Sequence, residues 1–418
     1  MAQSFPSADR ATWPRADGAR FANEVSDMSH GNIADERSAS AGRSLADDGS
    51  TLRVFPGDRL DQTAVTRFVG PLFLVGMPRS GTKLLRAILN NHSTIRILEV
   101  ETEFLPYWAL HWDRFGDLSK WHNFLAFYGR VQRSPYMVLH RSEVGPPIEA
   151  RAWYDCCRDF SAAGVFEALA RHDAGVPVGS DLIWGDKSPS YVRSLPLLKH
   201  LYPQARFVHI TRDVRDYCLS LNKALAKDMS RAAQRWADDI KSARRAGQSF
   251  GRDYVEVRYE DLITDPANIA RQVCALVDRD FEPSMTTLIK PAEGQFEALG
   301  GAGSGLRVIL GNNANKWQTR LNHRALMRIE AIAFDTLRQC NYPITIATGP
   351  RRLSAPSLAA RQLLDGLQLI HRYRRFDRLT RLRFFWNAFL IASPSLKPWQ
   401  RKFLPELADT SSPEQLNS

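Results

Sequence analysis

Between Pro71 and Asn91 the chain changes its hydrophobic period within a few residues. Pro71 to Gly76 (PLFLVG) is an apolar run with Phe73 and Val75 as strand formers. Leu84, Leu85, Ile88 and Leu89 then recur at helical spacing. Met77-Pro78-Arg79-Ser80-Gly81-Thr82 lies between, so the pattern predicts a strand, a tight turn and a helix. Further short apolar runs, each of strand type, fall at Ile95 to Leu98, ahead of Gly185, at Ala205 to Ile210 and at Tyr254 to Arg258. Helical stretches alternate with them: Leu195 to Tyr202 closed by Pro203, a helix carrying Tyr217, Leu219, Ser220 and Leu221, Pro266 to about Val277, and about Asn322 to Cys340. Strands alternating with helices predict an α/β protein, a parallel sheet flanked by helices.

Phe104 to about Ala170 is helical and aromatic, and Gly145-Pro146-Pro147 is expected to divide it into two helical pieces. Phe104, Trp108, Trp112 and Phe115, and then Trp121, Phe124 and Tyr128, fall three to four residues apart. Such a stripe reads first as a core-facing helix surface, and second as a wall for a ring-bearing substrate. Residues 1–62, rich in Ala, Ser, Asp, Arg and Gly without apolar periodicity, read as a disordered leader. The organisation expected is therefore that leader, a catalytic domain over 63–348 and a helical extension over 349–418.

Composition narrows the class. With 24% charged and 44% hydrophobic residues in 418, the chain suits a soluble globular protein. No run approaches ~18 consecutive apolar residues, and the first twenty lack an apolar core of signal-peptide length, so the expectation is a cytoplasmic protein. Five cysteines without metal-ligand spacing suit reduced thiols. The formal charge of +11 is unevenly placed, because Arg351 to Lys402 holds twelve lysines and arginines against Asp365 and Asp377. The excess thus sits in the extension, and the overall charge is no argument for a nucleic-acid partner. Within that extension Leu363, Leu367, Ile370, Phe376, Leu379, Trp386 and Phe389 form an apolar helical stripe among arginines. A peripheral membrane-surface helix and a helix docked on the catalytic domain both fit, and docking is favoured.

The candidate chemistry gathers at strand ends. A turn entering a helix presents backbone N–H groups without intrahelical partners at the positive end of the helix dipole, which is an anion cradle. Gly81 lets a phosphate approach the backbone closely, the N–H groups around Ser80 to Lys83 face it, Thr82 adds a hydroxyl donor, and Arg79 and Lys83 bring charge. A nucleoside-triphosphate P-loop requires lysine directly after its second glycine. Here Gly81 is followed by Thr82 and then Lys83, so the order is reversed. Glu99, Glu101 and Glu103 cluster just beyond a strand as candidate general bases, and periodicity does not choose among them. Lys187, in Gly185-Asp186-Lys187-Ser188-Pro189, is expected at the carboxyl end of a strand, where ligands of open α/β sheets bind. Thr211-Arg212-Asp213-Val214-Arg215-Asp216 makes a second strand-to-helix junction with arginine, whose planar fork suits phosphate.

Over about Phe68 to Tyr342 these motifs resemble the sulfotransferases that use 3′-phosphoadenosine 5′-phosphosulfate (PAPS), in the form with a Pro-Arg-Ser-Gly-Thr loop. The resemblance implies a P-loop-like fold that takes PAPS as co-substrate and needs no metal. It implies that the Arg79 loop takes the 5′-phosphosulfate, that Arg212 and Ser220, eight residues apart, take the 3′-phosphate, and that Lys187 supports the sulfuryl group. It selects Glu101 as the base, with Thr102 and Pro106 in step. Tyr259-Glu260-Asp261-Leu262 matches a turn read as structural. The glycine-rich Gly294 to Gly311 is read as a loop over the nucleotide, with Ser304 and, more firmly, Lys316 before Trp317 as further contacts. The reaction implied is sulfuryl transfer to a hydroxyl of a carbohydrate, a lipid or a tyrosine. The alternatives are a P-loop kinase using ATP and magnesium, and a non-catalytic nucleotide-binding or membrane-docking protein.

Overall fold

The computed structural model describes residues 67–287 and 313–373. The leader, Ser304 with its glycine-rich segment, and the basic stretch beyond 373 lie outside the described residues. The elements run β1 (Leu72–Gly76), α1 (Thr82–Asn90), β2 (Ile95–Ile97), α2 (Leu105–Leu110), α3 (Trp121–Val131), α4 (Pro135–Glu143), α5 (Ala150–Cys156), α6 (Ala162–Asp173) and β3 (Ile183–Lys187). Then come α7 (Leu195–Leu201), β4 (Arg206–Thr211), α8 (Val214–Leu225), α9 (Met229–Gln248), β5 (Tyr254–Arg258), α10 (Tyr259–Thr264) and α11 (Pro266–Leu276). After the gap follow α12 (Trp317–Arg320), α13 (His323–Ile332), α14 (Phe334–Gln339) and α15 (Ala355–Tyr373).

The strands form one sheet in the order β2-β3-β1-β4-β5. Every neighbouring pair is parallel, with Leu74 beside Lys187 and Gly76 beside Ile210 in register. Both faces are covered, which is why β1 reads as an unbroken apolar run: all five of its residues are buried. Its alternation still decides which core each side chain enters. Phe73 and Val75 pack with α2 to α9, α13 and α14, while Leu72 and Leu74 pack with α1, α10 and α11. Hence α1, which follows β1, and α8, which follows β4, lie on opposite faces of the sheet. The crevice between the carboxyl ends of these neighbouring strands is the topological switch point.

Four expectations need correction. The aromatic stretch is not two helical pieces. It is four helices from α2 to α5 plus a 3₁₀ turn at Trp112–Phe115, followed by α6. Gly116, at a φ of 73°, ends the 3₁₀ turn, and Ser134 and Ser161 cap new starts, so local stop and start signals outweigh a continuous aromatic period. The strand expected ahead of Gly185 runs through it to Lys187. The helix expected from Asn322 to Cys340 breaks at Ala333, and the Tyr259 turn is itself the short helix α10. The aromatic stripe is mainly core, with Trp108, Phe124, Phe127 and Trp153 buried together and Trp112, Phe115, Trp121 and Tyr128 half-buried against them.

Helix α15, the start of the basic extension, docks on α9 through reciprocal ion pairs. Arg361 reaches Asp228 at 2.6 Å and Arg231 reaches Asp365 at 2.6 Å, with Asp365 buried. The arginine facing the body is therefore matched by an aspartate beside it on the same helix.

The tightest approach in the sheet is at Gly185, where β3 crosses beside β1. A methyl group there would press into the Leu72 carbonyl and the Ile97 side chain. Gly185→Ala is expected to lower stability by about 1–3 kcal/mol, read as a fall in melting temperature, because backbone on one side cannot yield.

Candidate active site

Arg79, Ser80 and Gly81 form the turn between β1 and α1, and Ser80 N–H closes it on the Met77 carbonyl at 3.1 Å. Arg79 has a φ of 74°, left-handed for a side chain with a Cβ. That costs about 1–2 kcal/mol, so the fold holds it there by other contacts. One is Ser220 of α8, whose hydroxyl accepts from Arg79 Nε at 3.2 Å. Another is Arg212, just after β4, whose Nη1 donates to the Arg79 carbonyl at 3.0 Å. The turn after β1 and the junction after β4 are thus in direct contact across the switch point.

Tyr259 ties the two together. Its ring lies 4.4 Å under the Arg212 guanidinium and also fills the space that a Cβ on Gly81 would need. Gly81 has a φ of 93°, so glycine is required on both counts. The Tyr259 hydroxyl takes a hydrogen bond from Asn313 at 2.6 Å, the Asn313 carbonyl accepts from Arg212 Nη2 at 2.9 Å, and Lys316 reaches the Asn313 side chain at 2.5 Å. Lys316 therefore stands at this cluster's rim. Asp216 anchors the next residue, accepting from the Trp317 N–H at 2.9 Å.

Among the described residues, the cations here outnumber the one carboxylate that the electrostatics of Arg212 and Lys316 share, Asp216. Burial and the neighbouring Arg212 pull the Arg79 guanidinium below its usual range. Burial, Arg320 and Arg212 likewise pull the Lys316 ammonium down. The first turn of α1 contains no acidic residue to offset its dipole. Two buried polar atoms, Ser80 Oγ and Arg212 Nε, have no partner among the described residues. Crowded cations, orphaned donors and a glycine-lined helix start together fit an anion such as phosphate.

A second cluster lies at the carboxyl ends of β2 and β3. Lys187, the last residue of β3, is fully buried, and its ammonium is ion-paired to Glu101, whose side chain is 25% exposed. Burial alone would push the Glu101 carboxyl up, but Lys187, Lys83 and Arg86 outweigh it and hold the group below the usual carboxylate range. Lys83 and Arg86 belong to α1, so this pair shares the electrostatic surroundings of the anion cradle.

The three carboxylates left unresolved by spacing have three separate fates. Glu99 pairs with Arg86 at 2.6 Å and stays half-exposed. Glu101 meets Lys187. Glu103, at a φ of 59°, is buried, accepts from the Ser190 hydroxyl, and is pushed well above the usual range by burial and by the nearby Glu101 and Asp186. Sequence reasoning placed Glu103 among three candidate bases, missed Asp186, Ser188 and Tyr191 as neighbours of the site, and read the Tyr259 turn as structural. The available signal was position: Asp186 and Ser188 flank Lys187, Tyr191 lies in the turn that follows, and Tyr259 directly follows β5.

A model of the sulfotransferase family matches residues 71–283, half of the chain, and the protein belongs to that family. It is 24% identical over 228 residues to a putative protein-tyrosine sulfotransferase of Caenorhabditis briggsae, a match covering 53% of this chain and 70% of that one. It is 28% identical over 144 residues to protein-tyrosine sulfotransferase 1 of Homo sapiens, covering 34% of this chain and 31% of the human one. Among solved structures, the sulfotransferase domain from the curacin biosynthetic pathway is similar at 18% identity and a TM-score of 0.45, covering 67% of this chain and all of that domain. The chain is thus a sulfotransferase enzyme, and it spans about a third of the human relative.

Glu103 gives this region a pH signature. The folded state keeps its carboxyl protonated above the pH at which the unfolded chain ionises it, so its stabilising contribution is complete at acid pH and is lost as pH rises through the raised value. Glu103→Gln removes that titration. The variant's melting temperature relative to the parent should therefore climb as pH rises from the ordinary carboxylate range through the raised value of Glu103, and a pH-independent difference in thermal unfolding would show that Glu103 titrates normally.

Proposed function

We propose that this enzyme transfers the sulfuryl group of PAPS to an acceptor hydroxyl, with the two ends of the nucleotide held by the two junctions of the switch point. The observation that carries this reading is the direct contact of Arg212 with the Arg79 carbonyl at 3.0 Å and of Arg79 with Ser220 at 3.2 Å. Two groups of anion donors that close together suit one ligand bearing two anionic ends.

In this reading Arg212 and Ser220 hold the 3′-phosphate. Arg79, Ser80, Gly81, Thr82 and Lys83 hold the 5′-phosphosulfate through side chains and the first N–H groups of α1, with Lys316 at the rim. Bound PAPS supplies an activated sulfuryl group on a phosphate leaving group. Arg79 and Lys187 stabilise the negative charge that grows on the sulfuryl and bridging oxygens. Glu101 accepts the proton of the acceptor hydroxyl. Its lowered pKa keeps it ionised at neutral pH, and the modest basicity that results is sufficient because the hydroxyl proton becomes acidic as its oxygen bonds to sulfur. The protein steps need no metal ion. For the acceptor, a carbohydrate, a lipid and a tyrosine hydroxyl all suit this chemistry. The names of the matched relatives make a tyrosine peptide the first to test.

Thermal-shift titration tests the donor: adenosine 3′,5′-bisphosphate should raise the melting temperature where ATP with magnesium does not, and the opposite ranking would replace this reading with a kinase. Glu101→Gln should lower turnover with labelled PAPS by about 10²–10⁴-fold while leaving the bisphosphate shift nearly intact, and loss of both together would refute the base role.

A further inference from the structure

Glu101 and Lys187 each have a neighbour in sequence that meets its counterpart below the site. Thr102 follows Glu101, Asp186 precedes Lys187, and the Thr102 hydroxyl donates to Asp186 Oδ2 at 3.0 Å. Both residues are fully buried. A carboxylate only accepts, so Thr102 spends its single proton on Asp186 and itself accepts from the Tyr191 hydroxyl at 2.7 Å. Tyr191 in turn takes the Leu105 N–H at 3.0 Å. Ser188 completes the joint, its hydroxyl oxygen accepting from Thr102 N–H at 3.0 Å and Glu103 N–H at 3.2 Å. The bonds point one way along a chain that ends on Asp186.

This joint fastens a loop to a strand. Residues 99–104 after β2 have no regular structure of their own, whereas Asp186 and Lys187 are part of β3. We propose that Thr102 and Asp186 are positioning residues that act as a buried latch, holding Glu101 against Lys187 and at the acceptor. The proposal rests on the base role given to Glu101 above. Asp186 Oδ1 has no partner among the described residues, although the residue is completely enclosed. An acid kept at that cost, in a position where a neutral side chain would satisfy the loop, is consistent with a demand for a strong acceptor at the end of the chain.

Thr102→Val keeps shape and removes the hydroxyl. It is expected to lower kcat by about 10²-fold, the scale of an ångström of misplacement, with KM for PAPS changed less than about threefold. Thr102→Ser restores the hydroxyl and should recover most of the loss. Tyr191→Phe, which removes the donor to Thr102 without touching Glu101 or Lys187, should fall between the two. Turnover is read with labelled PAPS and 4-nitrophenol, a tyrosine peptide or water as acceptor. Amide exchange over residues 99–105, expected to accelerate in Thr102→Val while β1 and β4 stay protected, reports the latch without relying on turnover. Wild-type kcat in Thr102→Val beside an inactive Glu101→Gln would overturn the latch alone. Wild-type kcat in both would overturn the base role and the latch with it. Loss of the adenosine 3′,5′-bisphosphate thermal shift in Thr102→Val, or no recovery in Thr102→Ser, would show a general structural role and overturn the proposal.

Discussion

Two arginines that repel each other sit side by side at the centre of this molecule. Arg79 and Arg212 come from different strands, and burial together with their mutual repulsion disfavours the charge on Arg79. The fold offsets this with neutral oxygens, namely the Ser220 hydroxyl and the carbonyls of Arg79 and Asn313, and with the face of the Tyr259 ring. None of these cancels a positive charge. An anion would, so in the proposed reading the same arrangement that disfavours the charge on Arg79 is what would attract a ligand.

The sheet order is what makes this arrangement available. With β1 beside β4, and the helices that follow them on opposite faces, the two junctions open into one crevice without a helix between them. Lys187 reaches the same edge because β3 flanks β1 on the other side. The polypeptide thereby brings cations from three strands to one rim while its apolar side chains fill both cores.

Around Glu101 the problem is reversed, since three acids crowd one buried lysine. The structure resolves it by giving each carboxyl a different environment: Lys187 holds the Glu101 carboxyl below the usual range, burial with Glu101 and Asp186 pushes Glu103 well above it, and the Asp186 carboxyl is pushed up to about 6 by burial against the hydrogen bonds of Ser188 and Thr102. Of these three, Glu101 alone is both held in its charged form and open to solvent. Burial, more than residue type, separates the roles.

The strands, most of the helices and the turn at Arg79 were legible in the chain because they are local: an apolar run, a helical period and a glycine needed at positive φ are written in adjacent residues. The same is true of Arg212 and Ser220, one just past the end of a strand and the other two turns into the helix that follows it. Contacts across the sheet were not legible. No period relates Thr102 to Asp186, Gly81 to Tyr259 or Asp228 to Arg361, and the aromatic stretch after Phe104 hid several helix starts behind one continuous hydrophobic signal. The sequence by itself determined which groups were available and at which strand ends they would stand. Only the tertiary structure decided which of three similar glutamates faces solvent beside a lysine, because that depends on how much water and which charges a packed fold leaves around each one.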